Sequence, residues 1–179
     1  MKMQTKNIFL FTLLFLFTMT ASVFAQDAPK PKASPAQTAT GKVGTANISI
    51  AYSSPAVKGR TIWGELVPYG KAWRAGANEA TTFTTDKDIK VEGKTLKAGK
   101  YSVFMVPGQN EWQIIFNSQT GQWGTNKEGA NFDPANNVLT ITVKPKKAAQ
   151  MSERLQYEVT SKGFSLKWEN LEVPVTIKS

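Results

Sequence analysis

The chain has no cysteine and no histidine. Without cysteine there is no disulfide to reinforce a small domain, so stability rests on the core alone. Without histidine, Ser–His–Asp and Cys–His nucleophile systems cannot be assembled. Imidazole acid–base catalysis and the usual zinc ligand sets are excluded on the same ground. Acidic residues are also scarce, 13 against 22 Lys and Arg in 179 residues. No long amphipathic helical pattern, internal repeat or heptad is visible.

The first residues carry an address. Lys2 and Lys6 precede an apolar run over 8–24 that ends in a small residue, Ala25. A basic start, an apolar middle and a small-residue end are the marks of a secretory signal peptide, expected over 1–25, and hence of a periplasmic or secreted protein. The run is short for a membrane span, so no transmembrane segment is expected after cleavage. Removing Lys2 and Lys6 from the 22 basic residues leaves 20 against 13 acidic ones, a net charge of +7. That balance suits acidic partners, and export argues against nucleic acid. Most lysines are scattered singly, as on a solvated β surface that resists edge pairing.

Residues 26–42, QDAPKPKASPAQTATGK, hold no large apolar side chain and read as a flexible tether. The domain is expected to span 43–179. There the periodicity is two. Ala46, Ile48, Ile50 and Tyr52 alternate with polar residues, as do Leu139, Ile141 and Val143, then Leu155, Tyr157 and Val159. Phe164, Leu166 and Trp168 follow, then Leu171, Val173, Val175 and Ile177. The stretch 101–107 is apolar on both faces and suits a central strand. The turn at Gly108 leads from it into Trp112, Ile114 and Phe116, a hairpin signature. Pro174 is expected at an edge or bulge, since it cannot donate a ladder bond. One short helical turn is expected within 144–153. About eight to ten short strands imply a single all-β domain, an antiparallel β-sandwich or flattened barrel. One long irregular loop follows the first strand.

That loop, 52–81, concentrates aromatic, basic and amide residues. Lys58, Arg60 and Arg74 could bind a carboxylate or phosphate. Tyr69 and Trp73 offer stacking faces and Asn78 an orienting amide. These six are the candidate binding residues, for an anionic or glycan-like ligand or an envelope protein. In a competing reading Trp63 and Trp73 belong to the core, and Arg60 and Arg74 pair with Glu65 and Glu79. Glu79 with Tyr69 or Lys58 is a weaker, catalytic candidate for a hydrolase or lyase, and would need strongly shifted pKa values. A third reading makes the segment a buried polar network with no ligand. Asp86 and Asp88 share a strand face but sit beside lysines, as solvated edge residues do.

No metal or cofactor is implied. The Asp86-Lys87-Asp88-Ile89 run breaks the calcium-loop pattern. Gly70-Lys71-Ala72 lacks the hydroxyl of a phosphate loop. Gly121-Gln122-Trp123-Gly124 holds a tryptophan that is either an exposed binding residue or a plug for the sandwich end.

The residues SSPAVKGRTIWGELVPYGKAWRAGANEATT, followed by LKAGKYSVFMVPGQNEWQIIFN, resemble a family of exported bacterial proteins known as domain of unknown function 2911, common among Bacteroidetes-type bacteria. The similarity runs from about Ile48 through Trp123 and more loosely to the C-terminus. It implies an exported single domain, in relatives sometimes joined to tetratricopeptide-type repeats, which this chain lacks. It implies no reaction. Lys58, Arg60, Tyr69, Trp73, Arg74 and Asn78 all fall on the family's motif.

Overall fold

Alternating apolar residues can be buried on one face of a strand only if a second layer covers them. A computed structural model describes residues 32–179 and meets that requirement with two stacked antiparallel sheets. The expected signal peptide and the first residues of the expected tether lie outside the described residues.

The first sheet has six strands in the order β1 (Ala36–Val43), β2 (Ala46–Ser53), β3 (Thr82–Thr85), β6 (Gly99–Val106), β7 (Trp112–Asn117) and β10 (Asn137–Val143). The second runs β11 (Lys146–Thr160), β12 (Gly163–Lys178), β4 (Ile89–Val91) and β5 (Lys94–Leu96). A two-stranded ribbon, β8 (Thr125–Asn126) and β9 (Gly129–Ala130), stands apart, and a 3₁₀ turn covers Pro134–Asn136. Neither sheet closes into a barrel, so the architecture is the expected β-sandwich.

The inward residues are those the alternation names. Ile48, Ile50, Phe83, Ile114, Phe116 and Ile141 from one sheet meet Leu155, Phe164, Leu166, Val173 and Val175 from the other in one continuous core. Burying a side chain of this size contributes about 1.5–3 kcal/mol, so this layer accounts for stability without disulfides. The central strand β6 is also buried on its outer face. There Phe104 and Ile115 are covered by the loop over 118–133, whose Phe132 ring lies 4.4 Å from that of Phe104. This explains why 101–107 is apolar on both sides.

Four expectations need correction. Residues 36–42 are not tether but most of strand β1, paired with β2 from Ala36↔Ser53 to Val43↔Ala46. An edge strand draws its order from the backbone ladder and needs few large side chains of its own. The long irregular segment therefore follows the second strand rather than the first. The expected helical turn within 144–153 is instead β11, whose register against β12 shifts between Lys147 and Ser152 and again between Ser152 and Gln156. The tail also differs: 163–178 is a single strand, bent at Glu169 where φ is 52°. Pro174 falls between its ladder to β11, last paired at Glu172, and its ladder to β4, paired from Ile177. No donor is asked of it there.

Candidate functional site

The 54–81 segment is laced to the sandwich rather than free. Val57 donates to the Glu153 carbonyl at 2.8 Å and Gly70 to that of Pro107 at 2.8 Å. Trp73 and Met105 exchange backbone bonds of 2.7 and 2.9 Å, and Ala77 returns to the Ser53 carbonyl at 3.2 Å.

Local chemistry decides each side chain's role. Lys58 and Gly59 have φ of 49° and 67°, and Arg60 N–H donates to the Val57 carbonyl, a tight turn with two left-handed central residues. Glycine accepts that conformation freely. The Arg60 side chain folds back over this turn, with Nε on the Val57 carbonyl at 3.1 Å and Nη2 on that of Ala56 at 2.6 Å. Its fork is therefore occupied by its own backbone. Trp63 and Trp73 do pack on the core, as the competing reading expected. They join Trp112 and Trp168 in a four-ring cluster with centroids 4.9–6.0 Å apart. The indole N–H groups of Trp63, Trp112 and Trp168 are buried without an oxygen or nitrogen acceptor. The near-perpendicular ring pairs, 64° and 83°, are the arrangement in which an N–H can rest on a neighbouring π face. Tyr69 is exposed, with its ring beside Gly64.

Neither arginine pairs as expected with Glu65 or Glu79. Arg74 is half-buried, and its Nη1 donates to Thr125 Oγ1 at 2.8 Å. Burial lowers its pKa from the ordinary value, and its Nε has no acceptor. The aliphatic stem lies so close under Gly124 that any β-carbon there would stand 2.7 Å from Arg74 Cβ. The arginine thus serves as the seat for the 121–131 loop. Asn78, at φ 58°, adds two ties: its carbonyl accepts from Gly124 N–H at 3.0 Å, and its amide donates to the Ser34 carbonyl at 3.1 Å. Ala80 N–H donates to the Gln122 carbonyl at 3.1 Å. Trp123, between these two backbone ties, is 50% exposed.

The structure therefore brings Arg74, Asn78 and Glu79 together with Trp123, while Lys58 and Arg60 sit at a turn beside β11. No hydrogen bond or ion pair among the described residues links Glu79 to Tyr69 or Lys58. Glu79 instead accepts from Lys32 Nζ at 2.7 Å. That bond, more than any other influence, holds its carboxyl below the usual range. The same ammonium lies 5.8 Å from the Trp123 ring centroid, within cation–π reach.

Beside this group runs a groove of about 300 Å³, at the lower end of ligand-site volumes. Strand register explains it. Thr38, Ala51, Thr82, Ser102 and Asn117 are successive partners in one row across β1, β2, β3, β6 and β7. They share the outer face, since Ile50 and Phe83, their neighbours in sequence, point into the core. The 118–133 loop covers Ser102 and Asn117: Gln122 Nε2 donates to Ser102 Oγ at 3.2 Å, and Asn117 Oδ1 accepts from Gln119 N–H at 2.9 Å. Where the loop stops, the uncovered Thr38, Ala51 and Thr82 form a shallow floor. Gly121, Gln122 and Glu79 line it on the loop side, and Lys100, Gln37 and Tyr52 are among the other lining residues. Sequence reasoning missed Lys32, Gln37, Thr38, Thr82, Lys100 and Gln122. The only signal among them was the glycine-flanked tryptophan next to Gln122.

Among the described residues no group of His, Cys, Asp and Glu is placed to hold a metal ion, and no helix is long and apolar enough to cross a membrane. No curated protein and no solved structure matches the chain. One family model matches, over residues 34–177, and its span takes in the sandwich, the 54–81 segment and the Trp123 loop. The chain belongs to the family described as protein of unknown function, DUF2911.

Proposed function

We propose that this domain is an exported binding module for a glycan, which lies along the Thr38–Ala51–Thr82 groove and stacks a sugar ring on Trp123. The observation that carries the reading is Trp123 itself. A tryptophan held half-exposed between two backbone hydrogen bonds is a rigid aromatic surface, ordered before any ligand arrives. The apolar face of a sugar suits such a ring, and its hydroxyls suit the hydroxyls of Thr38 and Thr82 and the charges of Glu79 and Lys100. Export is supported by the basic, apolar and small-residue pattern of 1–25, and the periplasm or exterior is where an envelope glycan is met.

The basic, arginine-centred version of the site has less support. Arg60 is committed to carbonyls and Arg74 to Thr125. The hydrolase reading has less still, because Glu79 is paired with Lys32 and held ionised.

The test is a titration of envelope oligosaccharides against the purified domain, followed by melting temperature and tryptophan emission. A ligand of the folded state raises the melting temperature. Binding should disappear in Trp123→Ala while the variant melts as wild type does. Oligosaccharides that leave both signals unchanged would refute the reading.

A further inference from the structure

We propose that Trp123, bridged through its backbone to Glu79 on the groove's rim, forms with that carboxylate a subsite that selects a sugar bearing a free amino group, and that Lys32 occupies this subsite in cis. The inference rests on the glycan reading and specifies its ligand. An aromatic face beside an ionised carboxylate is a receptor for an ammonium group. The chain already presents one there: Lys32 Nζ stands 2.7 Å from Glu79 Oε1 and 5.8 Å from the Trp123 centroid.

Lys32 reaches this position because its segment is tied down close by. The Ser34 carbonyl accepts from the Asn78 amide at 3.1 Å, and the Pro35 carbonyl from Ser54 N–H at 2.8 Å. A side chain two residues from an anchor competes at a high effective concentration. The contact is weak in itself, since both partners are more than half exposed, at 58% and 53%. A ligand ammonium making the same contacts can therefore displace it. Occupancy by Lys32 lowers apparent affinity by the fraction of time the subsite is filled.

The rest of the groove limits how many amines fit. Lys100 lines it, so a second ammonium there would meet like charge. The preferred ligand carries one free amine at the Trp123–Glu79 subsite and neutral sugars beyond it. N-acetylation removes the charge that Glu79 recognises.

The experiment compares an oligosaccharide ending in glucosamine with its N-acetylated counterpart, by calorimetric titration of the full mature chain. The proteins are wild type, Lys32→Gln, Glu79→Gln and Trp123→Ala. The amine-ended sugar should bind wild type more tightly. Lys32→Gln should raise its affinity about fivefold and raise that of the acetylated sugar, which lacks the ammonium contact with Glu79, by less. Glu79→Gln should erase the preference, and Trp123→Ala should abolish binding of both. Equal binding of the two sugars to Lys32→Gln would overturn this inference and leave the glycan reading standing. Binding of neither sugar to wild type or Lys32→Gln would overturn both, as would binding of a lysine-rich peptide in their place.

Discussion

The phenol of Tyr157 on β11 donates a 2.8 Å hydrogen bond to the backbone carbonyl of Ala75, 82 residues earlier in the chain. Thr81 Oγ1 donates to the same oxygen at 3.0 Å. Ala75 has φ 53°, a left-handed conformation that costs a residue with a β-carbon roughly 1–2 kcal/mol. Two buried hydroxyls converging on its carbonyl hold it there. This bond connects the second sheet to the family motif, so the geometry of Arg74, Asn78 and Glu79 depends on a residue far outside the motif.

The two hydroxyls should prove coupled. Tyr157→Phe and Thr81→Val each leave the Ala75 carbonyl one partner and should cost about 0.5–1.5 kcal/mol. The double variant leaves a buried carbonyl without either donor. Its cost should exceed the sum of the singles by at least about 0.5 kcal/mol, measured by urea unfolding. Strict additivity would mean the carbonyl is satisfied in another way.

Alkaline stability follows from the same phenol. Burial pushes the Tyr157 pKa well above its ordinary value, and Tyr101 moves in the same direction for the same reason. Above about pH 10 an unfolded chain releases these protons while the folded chain keeps them. The unfolded state then binds fewer protons, so stability is full below that pH and falls as pH rises through it. The melting temperature should decline across this range, and Tyr157→Phe should show a shallower decline from a lower starting value. Parallel curves for the two proteins would count against the assignment.

The scaffold was legible because its signals are local. Alternation in β2, β10 and β12 names the inward residues, and Gly108 marks the β6–β7 hairpin. What escaped depends on pairing. Strand β1 has only Val43 and Ala39 to offer the core, and its order comes from the β2 backbone. The Lys, Ala, Gln and Met run that opens β11 resembles helix by composition, yet it pairs across a shifting register with β12. The arginines are ambiguous in sequence for a related reason. A guanidinium that clamps its own turn, as Arg60 does, has the same sequence signature as one awaiting a ligand. For Trp123, flanking glycines announce an unusual loop but not whether the ring faces water.

Arg74 should tolerate loss of its charge better than loss of its seat. It makes no ion pair, so Arg74→Met strands no buried countercharge and keeps the stem under Gly124. The cost should be about 1 kcal/mol or less, not the 3–5 kcal/mol expected when a buried pair is broken. Gly124→Ala, in contrast, drives a β-carbon into that stem and should cost about 1–3 kcal/mol. It should also speed amide hydrogen exchange at Gly124 and Ala80. A Gly124→Ala protein as stable as wild type would show that the loop is not seated on Arg74.

The exposed ring gives the most direct reading of the site without any ligand. Of the five tryptophans, Trp112 and Trp168 are fully buried, and Trp63 and Trp73 are partly buried against them, while Trp123 is half-exposed. An anionic quencher such as iodide must touch the ring it quenches. Most of the accessible fluorescence should therefore vanish in Trp123→Phe, leaving a blue-shifted and poorly quenched remainder from the four-ring cluster. Because Trp123 contributes little to the core, Trp123→Ala should change stability by no more than about 0.5 kcal/mol. Lys32 adds a refinement. Its ammonium lies beside the ring and should attract iodide, so Lys32→Gln should lower the quenching constant at low salt and have little effect at high salt. Unchanged quenching in Trp123→Phe would place the accessible indole elsewhere and remove the aromatic surface on which the proposed groove depends.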